Sequence, residues 1–294
     1  MTTIKNSLLS WDFEQYREYV EYNVLMNAAA VFHLYEGEII DSSNPLILEM
    51  QRLLETRTGK HTWLPKRSGT QDIEWNIEGS ILRNKGRLLR SLFILQLSEP
   101  YNIIQLLPFG RALATGKIPE QMFYDFIITH FRYPHPALKE NYEQWTRAGR
   151  KLYPFIFILQ VLLELNQTKD SISFNSDAFL TTEEIINHLY PVSDHTAVKR
   201  VSVNILKARQ DDSKVTESSS PEDLNTAKRN INDLMGFLCM SGYAFYIDDS
   251  KIRLNLLNRH PREKTYFWAT RNKQNLKCDR LQEIRTLISK VSLN

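Results

Sequence analysis

At Gly242 the spacing of apolar residues changes period, and that switch limits the fold more than any other feature of the chain. Upstream, residues 222–241 carry apolar side chains at helical spacing. Downstream, Tyr243-Ala244-Phe245-Tyr246-Ile247 and Lys251-Ile252-Arg253-Leu254 alternate on either side of Asp248-Asp249-Ser250. Two period-two runs around a short polar turn predict a β-hairpin. Two more helices come before this one. Thr181-Thr182-Glu183-Glu184 supplies a threonine cap and an acidic first turn for a helix that reaches Tyr190. Residues 195–209 form the next, with Val198, Val201, Val203, Ile205 and Leu206 as its apolar positions. Residues 211–220 are polar, contain three consecutive serines, and read as a loop. Helices followed by a hairpin give a winged-helix-like unit; in such folds a recognition helix reads the major groove and the strand pair forms the wing.

The N-terminal half repeats that order. Residues 11–35 carry Phe13, Tyr16, Val20, Val24 and Phe32 at helical spacing. Asn44-Pro45 is a cap followed by proline at the first helical position, and that helix stops near Gly59. A polar connection follows, then a helix over 72–82 that Gly79 weakens. Another over 83–98 carries Leu88, Leu89, Leu92, Ile94 and Leu95 and is closed by Pro100. Residues 102–107 form a strand, so only one wing strand is expected here. Pro108-Phe109-Gly110 punctuates, and a short helix spans 111–115. Residues 119–136 are aromatic, 152–165 form a dense apolar helix, and 276–290 form the last helix. The expected fold class is mainly α: two winged-helix-like (helix-turn-helix plus β-hairpin) units with a helical linker. The expected boundaries are 1–118 for the first unit, 119–151 for the connector, 152–260 for the second unit and 261–294 for a helical tail.

Composition excludes several classes. At 42% hydrophobic and 24% charged residues, the chain can bury a core and is not generally disordered. Its two cysteines, Cys239 and Cys278, form no CxxC pair, which argues against a disulfide framework or a metal knuckle. The first ten residues lack a signal-peptide core, and the longest apolar stretch, 153–165, is too short to span a bilayer. A cytoplasmic protein without membrane attachment is expected. The net charge of +3 is too small to identify a polyanionic partner, so the placement of charge matters more.

That placement is uneven. Arg83, Lys85, Arg87 and Arg90 stand in a stretch with no acid between Glu78 and Glu99. Guanidinium and ammonium groups bind phosphate oxygens and release condensed counterions, and arginine also grips guanine edges. Lys199, Arg200, Lys207 and Arg209, with Asn204, form a second set on one helix. Lys66 and Arg67, with Gln71, are further candidates for DNA-backbone contact. The alternative for a charge cluster is a solvated helix face; the place of the first set at the start of the third helix favours DNA contact there.

Catalytic signals are poor. Metal-dependent nucleases need carboxylates and a lysine converging on a cation. Glu38, Asp41 and residues 72–78 lack that arrangement, and Asp249-Ser250-Lys251 falls on a hairpin turn. His130 and His135 flank Tyr133-Pro134, where packing is the expected role. No phosphate-cradling GxxxxGK[ST] is present. No catalytic residue, no metal ligand and no cofactor is expected.

The stretch Leu106-Leu107-Pro108-Phe109-Gly110-Arg111-Ala112-Leu113-Ala114, then Ile118-Pro119-Glu120-Gln121-Met122-Phe123, then Phe131-Arg132-Tyr133-Pro134, resembles the DNA-recognition region of AlwI-like type IIS restriction and nicking endonucleases. Pro154-Phe155-Ile156, residues 180–185 and residues 227–254 with Ser241-Gly242 continue the likeness, which covers roughly residues 45–260. The family's threonine in the first motif falls on Leu107 or Pro108 here. The resemblance implies winged-helix-type recognition modules. It does not carry over cleavage, because the family's nuclease domain follows this region and only a short tail follows it here. It fixes no base-reading residue.

The expected function is double-stranded DNA binding, as the sequence-recognition component of a restriction or phage-defence system. A separate nuclease or ATPase subunit would then supply the chemistry. The alternatives are a protein–protein adaptor, docking through its aromatic segment and Tyr266-Phe267-Trp268, and a nuclease with a rearranged site.

Overall fold

The computed structural model describes residues 11, 13, 19–40, 44–60, 85–98, 102–167, 178–210, 221–256 and 273–291. The chain is mainly helical with small sheets, and it divides into two compact units. The smaller holds Tyr16–Tyr124 and Pro136–Leu138; the larger holds Met1–Gln15, Asp125–His135 and Lys139–Asn294. The expected helix over 72–82 and loop over 211–220 lie outside the described residues.

In the smaller unit, α1 (Tyr22–Leu34) buries Val24, Leu25, Ala28, Val31 and Phe32. It is shorter than the helix expected over 11–35. α2 (Pro45–Thr58) begins and ends as its sequence dictates. The Asn44 side chain accepts the Leu46 N–H, Pro45 opens the helix, and Gly59 closes it at φ 67°. α3 (Lys85–Ser91) is about two turns of the expected 83–98 helix. At Phe93 the backbone turns left-handed, φ 60°, and the chain leaves the helix. It continues as β1 (Leu95–Ser98), which pairs antiparallel with β2 (Ile103–Leu106). There are therefore two strands here where the sequence suggested one. The apolar residues Leu92, Ile94 and Leu95 are buried either way, so their pattern does not distinguish helix from strand.

Residues 37–40 run along the other edge of β2. Ile39 bridges Ile103, the Gly37 N–H donates to the Ile104 carbonyl, and the Ile104 N–H donates to the Glu38 carbonyl. α4 (Pro108–Ala114) starts at Pro108, so the expected Pro-Phe-Gly break is instead the first turn of a helix. Gly110 is required there. A Cβ at that position would stand 2.1 Å from the Ile94 carbonyl oxygen. α5 (Glu120–His130) passes from one unit to the other between Tyr124 and Asp125.

The core of the larger unit is aromatic. Trp11 and Phe13 belong to it and not to a first helix. Trp11 stacks on Tyr190, and Phe13 stands edge-on to Phe131, Phe155 and Phe237 at 5.3–5.6 Å. α6 (Lys139–Arg147), which the sequence pattern did not suggest, places Trp145 on Tyr133. α7 (Pro154–Gln167) is the dense apolar helix.

β3 (Leu180–Thr181) and α8 (Thr182–Glu184) follow, with a full capping box between Thr181 and Glu184. A single π turn, Ile185–Leu189, extends α8, closed by the Tyr190 N–H on the Ile185 carbonyl. A short 3-10 turn, His195–Ala197, leads into α9 (Val198–Gln210). α10 (Pro221–Met240) precedes the hairpin β4 (Ala244–Asp248) and β5 (Lys251–Leu254). The strand order is β3-β5-β4, all antiparallel, with a bulge between Tyr246 and Asp248.

α11 (Lys273–Lys290) closes the unit through Arg280. This buried guanidinium donates to the carbonyls of Gly242 (2.7 Å) and Asn255 (3.3 Å) and to Glu283 (2.6 Å). It also lies 4.5 Å over the Tyr243 ring. The Tyr243 hydroxyl in turn donates to Asp125 at 2.7 Å. Burial and that carboxylate hold the phenol well above its ordinary range.

Candidate nucleic-acid interface

α9 has two contrasting faces. Val201, Ser202 and Ile205 are buried, and the helix packs on α7. The outer face exposes Lys199, Arg200, Val203, Asn204 and Lys207. Val203, one of the helix's apolar positions, is 47% exposed. No acidic residue occurs within α9, so nothing on the helix itself neutralises its cations.

The start of α9 is held firmly. The Asp194 carboxylate accepts the Thr196 N–H at 2.8 Å and the Thr196 hydroxyl. Those bonds, the hydroxyl first, keep its carboxyl below the usual range. His195 reaches back to α7. Its Nε2 accepts the Tyr153 N–H at 3.0 Å, so its proton sits on Nδ1, which faces Gln160 Oε1 at 2.7 Å. Burial depresses this imidazole to about 4. No charge pattern in the sequence pointed to this lock.

Arg209 behaves differently from its neighbours. Its guanidinium grips Glu184 with two bonds, 2.6 and 2.9 Å, and donates to the Phe179 carbonyl at 2.7 Å. It also stacks 3.9 Å from the Phe179 ring. Arg209 ties the end of α9 to α8 and to the Phe179 carbonyl, whereas Lys199, Arg200 and Lys207 are exposed.

In the smaller unit, Lys85 opens α3, and Arg87 and Arg90 are half-buried on it. The Arg90 Nε donates to the Gly86 carbonyl at 3.2 Å. Arg83, Lys66, Arg67 and Gln71 lie outside the described residues. Nearby Arg111 is engaged by Glu36, at 2.6 Å in its shortest bond. That bond, with the Leu106 N–H, pulls the Glu36 carboxyl down to about 2. α3 packs against β1. The two basic helices, α3 and α9, belong to different units.

Nothing among the described residues assembles a metal site: no three His, Cys, Asp or Glu side chains converge. Asp248 is occupied by the hairpin turn, accepting the Ser250 N–H at 2.9 Å and pairing with Lys251 at 3.1 Å. His130 and His135 stack on Phe126 and Phe131. No helix among the described residues is long and apolar enough to cross a membrane.

No curated protein matches the chain. Among solved structures, it is similar to a crystal structure of pyrene- and phenanthrene-modified DNA in complex with the BpuJ1 endonuclease binding domain. The TM-score is 0.54 at 14% identity, over 91% of this chain and 92% of that one, a likeness of fold. A family model described as the N-terminal part of restriction endonuclease BpuJI matches residues 90–288. That match spans more than half of the sequence, and the chain belongs to the family of the restriction endonuclease BpuJI N-terminal region.

Proposed function

We propose that this chain is a double-stranded DNA-recognition protein of a type IIS-like restriction system, reading its site through two winged-helix-like modules. In the larger unit, α9 is the groove helix and β4–β5 the wing, with α10 interposed between them. In the smaller unit, α3 and the β1–β2 ribbon take those parts. The module boundaries expected from sequence, 1–118 and 152–260 around a connector, are part of this proposal. Cutting is assigned to a separate partner subunit.

The observation that carries the reading is the acid-free outer face of α9. Lys199, Arg200 and Lys207 there are exposed beside the amide of Asn204, which suits an adenine edge. Membership of a restriction-endonuclease family supports the same reading. So does the DNA held by the binding domain of similar fold. Lys85, Arg87 and Arg90, with Arg83, Lys66 and Arg67, are proposed as phosphate contacts of the smaller unit.

The test is fluorescence anisotropy at several salt concentrations. Changing Lys199, Arg200 and Lys207 to alanine is expected to weaken duplex binding and to flatten log affinity against log salt by about 0.9 per lost phosphate contact. An unchanged slope in a folded triple variant removes α9 from the interface, and the adaptor reading becomes the better one.

A further inference from the structure

The β1–β2 ribbon carries residues that the charge argument does not use. Its inner face is core: Leu95, Ile104 and Leu106 are at most 1% exposed. Its outer face alternates with them. Gln96 and Gln105 stand directly opposite each other in the antiparallel register, and both are exposed. Ile103, two residues from Gln105, shares that face, and its bridge partner Ile39 is 42% exposed beside it. Among the described residues, neither glutamine amide has a hydrogen-bond partner. The strands carry no charge of their own, and cations come from the helix packed against β1, Arg87 and Arg90.

We propose that this outer face reads an A·T base pair in the major groove, with Gln96 and Gln105 on the adenine edge and Ile103 and Ile39 against the thymine methyl. The inference rests on the DNA-recognition reading above and names the bases that the smaller unit selects. A glutamine amide offers one acceptor and a donor group. Adenine offers the matching pair, an N6–H donor and an N7 acceptor. Guanine presents two acceptors, N7 and O6, which leaves the amide oxygen against a lone pair when the contact is desolvated. A thymine methyl is an apolar target for isoleucine.

The experiment is selection from a randomised duplex library by the full chain, followed by anisotropy on the enriched site. Three proteins are compared: the wild type, a Gln96→Ala/Gln105→Ala double variant and Gln105→Glu. The wild type is expected to enrich a site with an A·T pair that the double variant no longer prefers. At that one position discrimination should fall by about 5- to 150-fold, with the salt slope unchanged. Gln105→Glu keeps the size of the side chain but accepts only. It is expected to lose adenine and gain cytosine, whose N4 amino group donates. Both substitutions are at exposed positions, and circular dichroism melts check folding. The same enriched site and the same affinity in all three proteins overturn the ribbon proposal while leaving DNA recognition intact. Absence of duplex binding by the wild type overturns the DNA-recognition reading, and the ribbon proposal with it.

Discussion

Gly110 shows how one missing side chain fixes a local architecture. The first turn of α4 lies so close to the backbone of Ile94 that a Cβ would meet its carbonyl oxygen, carbon and Cα at 2.1, 2.8 and 2.9 Å. All three are backbone atoms, which cannot rotate away. Ile94 also accepts the Leu107 N–H that starts the ribbon. Gly110→Ala should therefore push α4 off the ribbon, at a cost of about 1–3 kcal/mol or more. Urea denaturation would register it as a lower midpoint. An unchanged midpoint would mean that α4 has room to shift. A sequence shows a glycine here, but only the fold shows that the neighbour is backbone and not a flexible side chain.

At the scale of elements, Arg209 and Lys207 are close in sequence and opposite in role. Lys207 is exposed, whereas Arg209 and Glu184 keep only 19% and 16% of their side-chain surface in water. Arg209→Ala is expected to destabilise the larger unit by about 1–3 kcal/mol, since it strips a charged hydrogen-bond partner from Glu184. It should leave the salt slope of DNA binding unchanged, while Lys207→Ala flattens it. Thermal melts paired with salt titrations separate the two outcomes, and a flattened slope for Arg209→Ala would place it on the DNA. The sequence pattern could not separate these residues, because the acid that claims Arg209 lies 25 positions away.

Elsewhere legibility followed how local the cause was. The cap at Asn44, the stop at Gly59 and the hairpin around Asp248-Asp249-Ser250 are determined by neighbours within a few residues, and all three could be read. β1 could not, since buried leucines serve a helix or a strand equally and the break is a backbone angle at Phe93. β3 is two residues long and exists only because β5 lies beside it. Of the candidate interface, the outward cations of α9 were visible in the sequence. The outward glutamines of the ribbon were not, because they acquire a common face only through the register.

For the whole molecule, two groups with displaced titration report on the two units separately. His195, in the larger unit, ionises at about 4 when folded because burial disfavours its cation. An unfolded histidine takes up its proton near 6.5. Its contribution is therefore complete above 6.5 and is lost as pH falls towards 4. Glu36, in the smaller unit, is held at about 2 by Arg111, against an ordinary 4.5. Its contribution is complete above 4.5 and is lost as pH falls towards 2. Acid titration followed by tryptophan fluorescence and circular dichroism should show stability declining in the first window before the second. His195→Asn should shrink the decline in the upper window. An equal decline in that variant would remove His195 as its cause.

Arg280 has a consequence for how the protein is made. The carbonyls of Gly242 and Asn255, on either side of the β4–β5 hairpin, are both capped by this one guanidinium, 38 and 25 residues further along the chain. A ribosome adding about 5–20 residues per second delivers Arg280 roughly 1–5 seconds after Asn255. Until Arg280 arrives, the β4–β5 hairpin lacks the side chain that finishes its base. The base of the β4–β5 hairpin is thus complete only after α11 has cleared the exit tunnel.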